Sequence, residues 1–312
     1  MPRTDLDVLQ VVTTASPFFE QQVRALEDRG VSCTTVAVPD ADGAAGTVDA
    51  YRRFYQRVLR AGLDDYDLVH ANYGLVGPFA LAQPTRPVVL TLWGSEVMGE
   101  SARLSAVSSA AARASDRVVV PSAPISDAFD VSHEVVPFPV DTGTFRPIER
   151  SAARAAVDWE TDAKVVLFPY HPDRDVKDYP RAERIVAAVD DRLDEPVELR
   201  WIWGVPHDEV PQYMNASDAV LVTSSHESGP MVVKEAAACN VPVVSTSVGF
   251  APAALDGVSR SHVRETDDGL VDALASVLAA GERSDGRSVL ELPDREQTGE
   301  RLHAIYRDVL GE

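Results

Sequence analysis

Two glutamates with seven residues between them, Glu227 and Glu235, lie in the stretch YMNASDAVLVTSSHESGPMVVKEAAACNVPVVSTSVG, residues 213–249. The stretch reads as strand, turn, helix, strand. A β-branched run is followed by a turn at Ser228 and Gly229, Pro230 suits the first helical position, and the helix carries Glu235. A helix starting there leaves the backbone N–H groups of Met231 and Val232 without intrahelical acceptors, and its partial positive charge favours an anion. A phosphate is the guest this chemistry fits. Glu227, just before the helix, then stands beside the phosphate, while Glu235 reaches hydroxyls farther along the same ligand.

Such a guest meets an adverse background. The 312 residues carry 49 acidic against 29 basic side chains, a formal net charge of −20, and the only lysines are Lys164, Lys177 and Lys234. A carboxylate-rich, lysine-poor surface of this kind resembles those of salt-loving organisms. It repels nucleic acid and other anions unless cations are gathered locally, so no nucleic-acid partner is expected and a phosphate needs its own basic pocket. A lysine retained in such a chain is therefore informative. Lys177 stands in LFPYHPDRDVKDYPRAERIV, a strand followed by an irregular loop and a helix, with Arg174 beside it. Lys234 is ambiguous and is expected to pair with a neighbouring acid, and Asp218 reads as a turn or capping residue.

The elements that must position these groups follow from the periodicity. Short β-branched runs alternate with helical patterns from end to end, as in parallel βαβ units. The first half offers LDVLQVVTT, VSCTTVAV, DLVHAN, PVVLTLW, RVVVPS and HEVVPF, and the second AKVVLFPY, VELRWIW, DAVLVTS and VPVVSTS. Helical segments are expected near 177–193, 230–238, 267–281 and 293–310. The fold class is α/β, with two doubly wound Rossmann-like domains, 1–145 and 146–312, whose final helix is free to pack back on the first. Strand ends of two such sheets face a central cleft, where ligands bind. The start of the chain has no signal-peptide pattern and no run approaches the roughly 18 apolar residues of a membrane span, so a cytoplasmic protein is expected. Cys33 and Cys239 read as core residues. No D-x-D at a strand end and no repeated ligand spacing suggests a metal, and no cofactor is expected.

The E-x7-E pair of Glu227 and Glu235, with SDAVLVTS before it and NVPVVSTSVG after it, resembles the retaining family 4 glycosyltransferases of GT-B fold. The resemblance implies a metal-independent, retaining transfer of a sugar from a nucleotide-diphosphate donor to a glycan or lipid-linked acceptor. A lipid-linked acceptor brings peripheral membrane contact. It assigns Glu235 to the ribose hydroxyls and Glu227 to the donor sugar and its phosphate as the catalytic residue. Arg174 and Lys177 match a basic pair that grips the diphosphate, and Ser228, Gly229, Met231 and Val232 are donor-binding through the turn and helix start. The base is expected near Trp203, Gly204 and Val205.

Acceptor-side residues are expected at two strand ends of the first half: His70, Asn72 and Tyr73, then Trp93, Ser95 and Glu96. TLWGSEV is similar to the family's H-G-x-D loop, with Trp93 where histidine is common and Glu96 for aspartate. Indole accepts no proton, so the base role of that histidine does not carry over, and His70 is the nearest substitute. Phe18 and Phe19 line an apolar acceptor wall or simply anchor the first helix. Two other readings stay open: a non-catalytic nucleotide-sugar-binding partner subunit, and a nucleotide-sugar epimerase.

Overall fold

The computed structural model describes residues 6–40, 43–99, 101–127, 129–159, 161–227, 229–290 and 292–312, apart from the side chains of 43–45 and 124. The chain forms two compact units, Met1–Pro139 with Pro293–Glu312, and Val140–Leu292.

The first unit is built on a six-stranded parallel sheet of β1 (Leu6–Val12), β2 (Val31–Ala37), β3 (Leu68–Asn72), β4 (Val88–Thr91), β5 (Arg117–Val120) and β6 (Glu134–Val135). Their order is β2-β1-β3-β4-β5-β6. The central strands are apolar almost without interruption, and Val8, Leu9, Val11, Val12, Leu68, Val69, Val88 and Leu90 are all buried. That is the pattern of strands covered on both faces by crossover helices, of which Pro17–Glu27, Gly43–Ala61 and Ala102–Ala114 are the longest before Pro139.

The second unit carries β7 (Lys164–Phe168), β8 (Val197–Trp201), β9 (Ala219–Val222), β10 (Val243–Ser245) and β11 (His262–Val263), in the order β11-β10-β9-β7-β8, again parallel. The first ten strands coincide with the runs read from the sequence. β11 was not anticipated, because its two residues lie among polar neighbours in SRSHVRET, whereas the equally short β6 lies in the apolar run HEVVPF. Asp218, in the bend just before β9, is buried and does cap a strand end, while also holding two arginines. It accepts from Arg150, from Arg154 at 2.8 Å and from the Val165 amide at 2.7 Å, so two guanidiniums and a strand end converge on one carboxylate.

The division between the units falls a few residues before position 145, because Val140 and Phe145 belong to the second core. The chain also returns to the first unit at its end. The helix Arg295–Leu310 is capped by Asp294, which accepts from the Gln297 amide at 2.8 Å, and it ends at Gly311 in left-handed conformation. Its Leu302, Ile305 and Tyr306 pack with Leu6, Val8, Leu26, Leu68 and Val89.

Tyr306 also anchors a buried polar network. Its hydroxyl meets His70 Nδ1 at 2.6 Å and accepts from Gln10 Nε2 at 3.3 Å, while His70 Nε2 meets Thr91 Oγ1 at 2.7 Å. Asn72 donates to Gln10 Oε1 at 2.9 Å and accepts from Gln22 at 2.8 Å. Side chains from β1, β3, β4 and two helices thus satisfy one another away from water.

Burial pushes the His70 pKa down to about 3. The folded state holds the ring neutral while the unfolded chain protonates it near its ordinary value of 6.5, so this contribution to stability is complete above pH 6.5 and is lost progressively as pH falls toward 3. Between pH 6.5 and about pH 5 the loss is roughly 2 kcal/mol. Urea titrations should show an acid-side decline in the parent that is shallower in His70→Gln. Tyr306→Phe, which strands two buried partners, should cost about 1–3 kcal/mol at neutral pH. Equal acid slopes in parent and His70→Gln would show that another group governs the decline.

Candidate active site

In the second unit the ends of β7, β9 and β10 are joined by hydroxyl groups. Thr223 Oγ1, just past β9, donates to the carbonyls of Lys177 at 2.9 Å and Asp178 at 3.0 Å. The Ser225 amide donates to Val176 O at 2.9 Å, and Thr246 Oγ1, just past β10, donates to Ser224 O at 2.7 Å. The loop carbonyls of Lys177 and Ser224 find donors in this way. Together they fix the single turn Asp175–Lys177 against the loop that carries Glu227. Asp178, at φ 53°, caps the following helix Tyr179–Asp190 through the Arg181 amide at 3.1 Å.

The consequence is a direct ion pair between Lys177 Nζ and Glu227 Oε1, with both side chains largely buried. Ser224 Oγ donates to the same carboxylate oxygen at 3.0 Å. The ammonium also lies 4.0 Å from the centre of the Tyr170 ring, which caps β7. Burial lowers the Lys177 pKa, Glu227 opposes that, and nearby Arg174 adds to it. Arg174 itself is exposed. The Tyr170 hydroxyl is buried in the fields of Glu227 and Glu235 with no well-formed hydrogen bond among the described residues, and its pKa is raised well above the usual value, first by burial.

The helix carrying the second glutamate is Met231–Ala238. Pro230, expected at its first position, lies one step outside as the N-cap, because its ψ of 95° is extended. Met231 and Val232 therefore supply the first-turn amides, as the sequence implied. Gly229 has a steric reason to be glycine: a Cβ there would come within 2.5 Å of the Phe250 ring. Ser228 lies outside the described residues. Lys234 lies 4.6 Å over the same Phe250 ring, and among the described residues it pairs with no acid, which corrects the expectation. Burial lowers its pKa to about 8.

Glu235 is met by His207, whose Nε2 donates to Oε1 at 3.0 Å. Sequence reasoning missed this histidine. The signal was present only as proximity to Gly204, which takes φ 70° in the turn after β8 and so suits a residue without Cβ. Val205 packs against the core, while Trp203 is 58% exposed. Among the described residues no group of three or more His, Cys, Asp or Glu side chains is gathered as a metal site.

The acceptor-side candidates of the first unit divide differently. His70 and Asn72 are wholly consumed by the buried network, so neither is available to a ligand and His70 does not replace the missing base. Glu96 is likewise buried. Its Oε1 accepts from the amides of Trp93 at 2.7 Å and Gly74 at 3.1 Å, tying two strand-end loops together. Burial raises its pKa against the pull of those amides. Ser95 is exposed at this end of the sheet, with Tyr73 and Trp93 half-buried beside it. Tyr73 has φ 96°, a strained value for a residue with a side chain, and its hydroxyl accepts from Ser95 at 3.3 Å. Trp93 packs edge-on to Phe18 at 4.7 Å between ring centres, and Phe138 lies against Phe18 at 4.6 Å. Phe19 is core, anchoring the first helix, whereas Phe18 belongs to this aromatic group.

Two parallel-sheet α/β units of this kind are the GT-B fold, as solved relatives show. Sucrose-phosphate synthase from Thermosynechococcus elongatus superposes with a TM-score of 0.80 at 17% identity, covering 98% of this chain and 99% of that one. Anabaena HepE in complex with UDP-glucose gives 0.67 at 13% identity, covering 97% and 100%. Residues 191–287, all within the second unit, match the family described as Glycosyl transferases group 1. The D-inositol 3-phosphate glycosyltransferase of Mycolicibacterium gilvum is 27% identical over 281 residues, 72% of this chain and 62% of that protein. That of Mycobacterium tuberculosis is 31% identical over 208 residues, 55% and 43% respectively. The chain thus spans less than two thirds of the length of these curated relatives.

The ion pair yields a stability test. Removing one partner leaves a largely buried charge uncompensated, so Glu227→Gln and Lys177→Met should each cost about 1–3 kcal/mol in urea denaturation. The double variant should lose clearly less than the sum. Strict additivity would mean that the two groups do not interact.

Proposed function

We propose that this chain is a metal-independent, retaining glycosyltransferase that moves a sugar from a nucleotide-diphosphate donor to a glycan or lipid-linked acceptor. The observation that carries the reading is the gathering of Glu227, Lys177 and the Met231–Ala238 helix start at one set of strand ends, with Glu235 one turn along the helix. Lys177, Arg174 and the amides of Met231 and Val232 hold the diphosphate, supplying the positive charge that a divalent ion would otherwise provide. Glu235 accepts from the ribose hydroxyls, and the base lies toward Trp203, Gly204 and Val205.

In the reaction the bond between the donor sugar's anomeric carbon and the diphosphate oxygen breaks, and the acceptor oxygen bonds to that carbon from the same face. The acceptor proton passes to the departing phosphate oxygen, so no strong protein base is needed. Lys177 neutralises the charge that grows on the leaving group. Glu227 sits where charge shifts, and the same lysine orients its carboxylate. The UDP-glucose bound by HepE, which shares the fold, makes a uridine-linked donor the first to try. We place the reaction in the cytoplasm, with peripheral membrane contact if the acceptor is lipid-linked.

The structural roles of His70, Asn72 and Glu96 favour one rival, a nucleotide-sugar-binding partner subunit that transfers nothing. A nucleotide-sugar epimerase is the other. Purified protein with a panel of nucleotide sugars, with and without acceptor extract, separates the three: release of nucleoside diphosphate that depends on acceptor supports transfer. Activity should persist in excess EDTA, and loss restored by Mn²⁺ or Mg²⁺ would contradict the mechanism. Glu227→Gln should lower kcat by about a hundredfold with a smaller change in donor affinity. Glu235→Ala should raise donor KM more than it lowers kcat, because ribose contacts do not change during reaction. An unimpaired kcat in Glu227→Gln would remove its catalytic assignment.

A further inference from the structure

His207 occupies a defined slot in the second unit. Its Nε2 donates to Glu235 Oε1 at 3.0 Å, and its ring lies 5.0 Å from the Phe145 ring. The imidazole is thus wedged between a carboxylate and a phenyl ring, half-buried, while the Glu235 side chain is only 14% exposed. A carboxylate offers two oxygens, and this contact occupies one. Among the described residues the other has no hydrogen-bond donor and is open to a second one.

We propose that His207 is a positioning residue of the donor site, locking the Glu235 carboxylate so that its second oxygen is presented to a vicinal diol such as that of ribose. The inference rests on the reading of this unit as a nucleotide-sugar site. A glutamate side chain that must be frozen on binding loses rotamer freedom, and one already fixed by a neighbour does not. A planar ring with a single N–H aimed at one oxygen fixes that geometry, while Phe145 prevents the imidazole from turning away.

The arrangement also sets a pH response. Burial alone would lower the imidazole's pKa, but Glu235, through its hydrogen bond and charge, outweighs this together with Asp141 and Asp208, and the net shift is upward. Glu235 faces the ring from the helix, Asp141 from the segment leading to Phe145, and Asp208 from the ring's own turn. The imidazolium holds the carboxylate most firmly, so ligand affinity should be highest below the raised pKa and fall as pH rises through it.

The test uses the full chain and calorimetric titration with UDP, GDP, ADP, CDP and dTDP from about pH 6 to about pH 9, in the parent, His207→Gln and His207→Ala. The ligand's own phosphate ionisation is common to all three proteins and cancels in the comparison. For the nucleotide that binds best, the parent's affinity should fall roughly tenfold across the range, with a midpoint above the ordinary histidine value. His207→Ala should bind roughly tenfold more weakly at the acid end, without that midpoint. His207→Gln, which keeps a donor but cannot titrate, should retain most of the affinity with a flat profile, and with the donor sugar its KM rather than its kcat should track binding. Unchanged melting temperatures would separate these losses from unfolding. Binding in His207→Ala equal to the parent's at every pH overturns the proposal while leaving the donor-site reading intact. Failure of the parent to bind any of the nucleotides overturns both.

Discussion

The contact on which the second unit's chemistry depends is the buried pair of Lys177 and Glu227, and neither residue could hold its place without the strand ends beneath it. An ammonium and a carboxylate taken from water are stable together only if their remaining valences are met. Ser224 and the Tyr170 ring meet them here. The loop carbonyls that would otherwise be unpaired are bonded by Thr223 and Thr246. The local result is a cation and an anion held side by side, close to a helix N-terminus. Such a site is dipolar rather than simply positive. It suits a ligand that brings a phosphate to the lysine and a polarised carbon to the glutamate.

The net charge of −20 explains why the cations are arranged so sparingly. Several arginines serve as structural clasps rather than as surface charge. Arg154 donates to the carbonyls of Thr161, Ala163 and Ala216, Arg283 to Ser217 and Asn215, and Arg287 to Thr142, Phe145 and Ala238. The planar fork of guanidinium suits this work, because several fixed donors can reach carbonyls at helix and strand ends at once. Lysine, a point charge on a flexible stem, is left for positions where charge itself matters, and Lys177 is the clearest of these. Lys234 shows the opposite case. It is buried over Phe250 and pairs with no acid among the described residues, and the lowering of its pKa follows from burial alone.

Much of the fold was legible because periodicity is local. A strand buried on both faces must be apolar throughout, and an amphipathic helix must repeat near 3.6 residues, so ten strands and the helices near 177–193, 230–238, 267–281 and 293–310 could be read directly. The E-x7-E pair was legible for the same reason, since a strand, a turn and a helix fix its spacing within one stretch of chain. Partnerships across long separations were not. Nothing near His70 announces Tyr306, more than two hundred positions away, so a histidine at a strand end looked free when it is fully satisfied. Glu96 resembled a ligand-facing acid because its loop matched a motif, yet its carboxylate ties two backbone amides. His207 escaped notice because its meaning lies in Glu235 and Phe145, both distant in sequence.

These misreadings have a common physical origin, and it separates the two units. In the first, the polar residues at the ends of β3 and β4 turn inward to satisfy the backbone and one another, leaving Tyr73, Trp93 and Phe18 half-buried beside them. That end of the sheet is therefore aromatic, suited to contact with a ring face or an apolar surface rather than to proton transfer. In the second, Lys177 and Glu227 meet at the strand ends as opposite charges, both largely buried. Opposite charges therefore meet at the strand ends of the second unit, while aromatic rings gather at those of the first and the acids and histidine there are spent on holding loops and strands together.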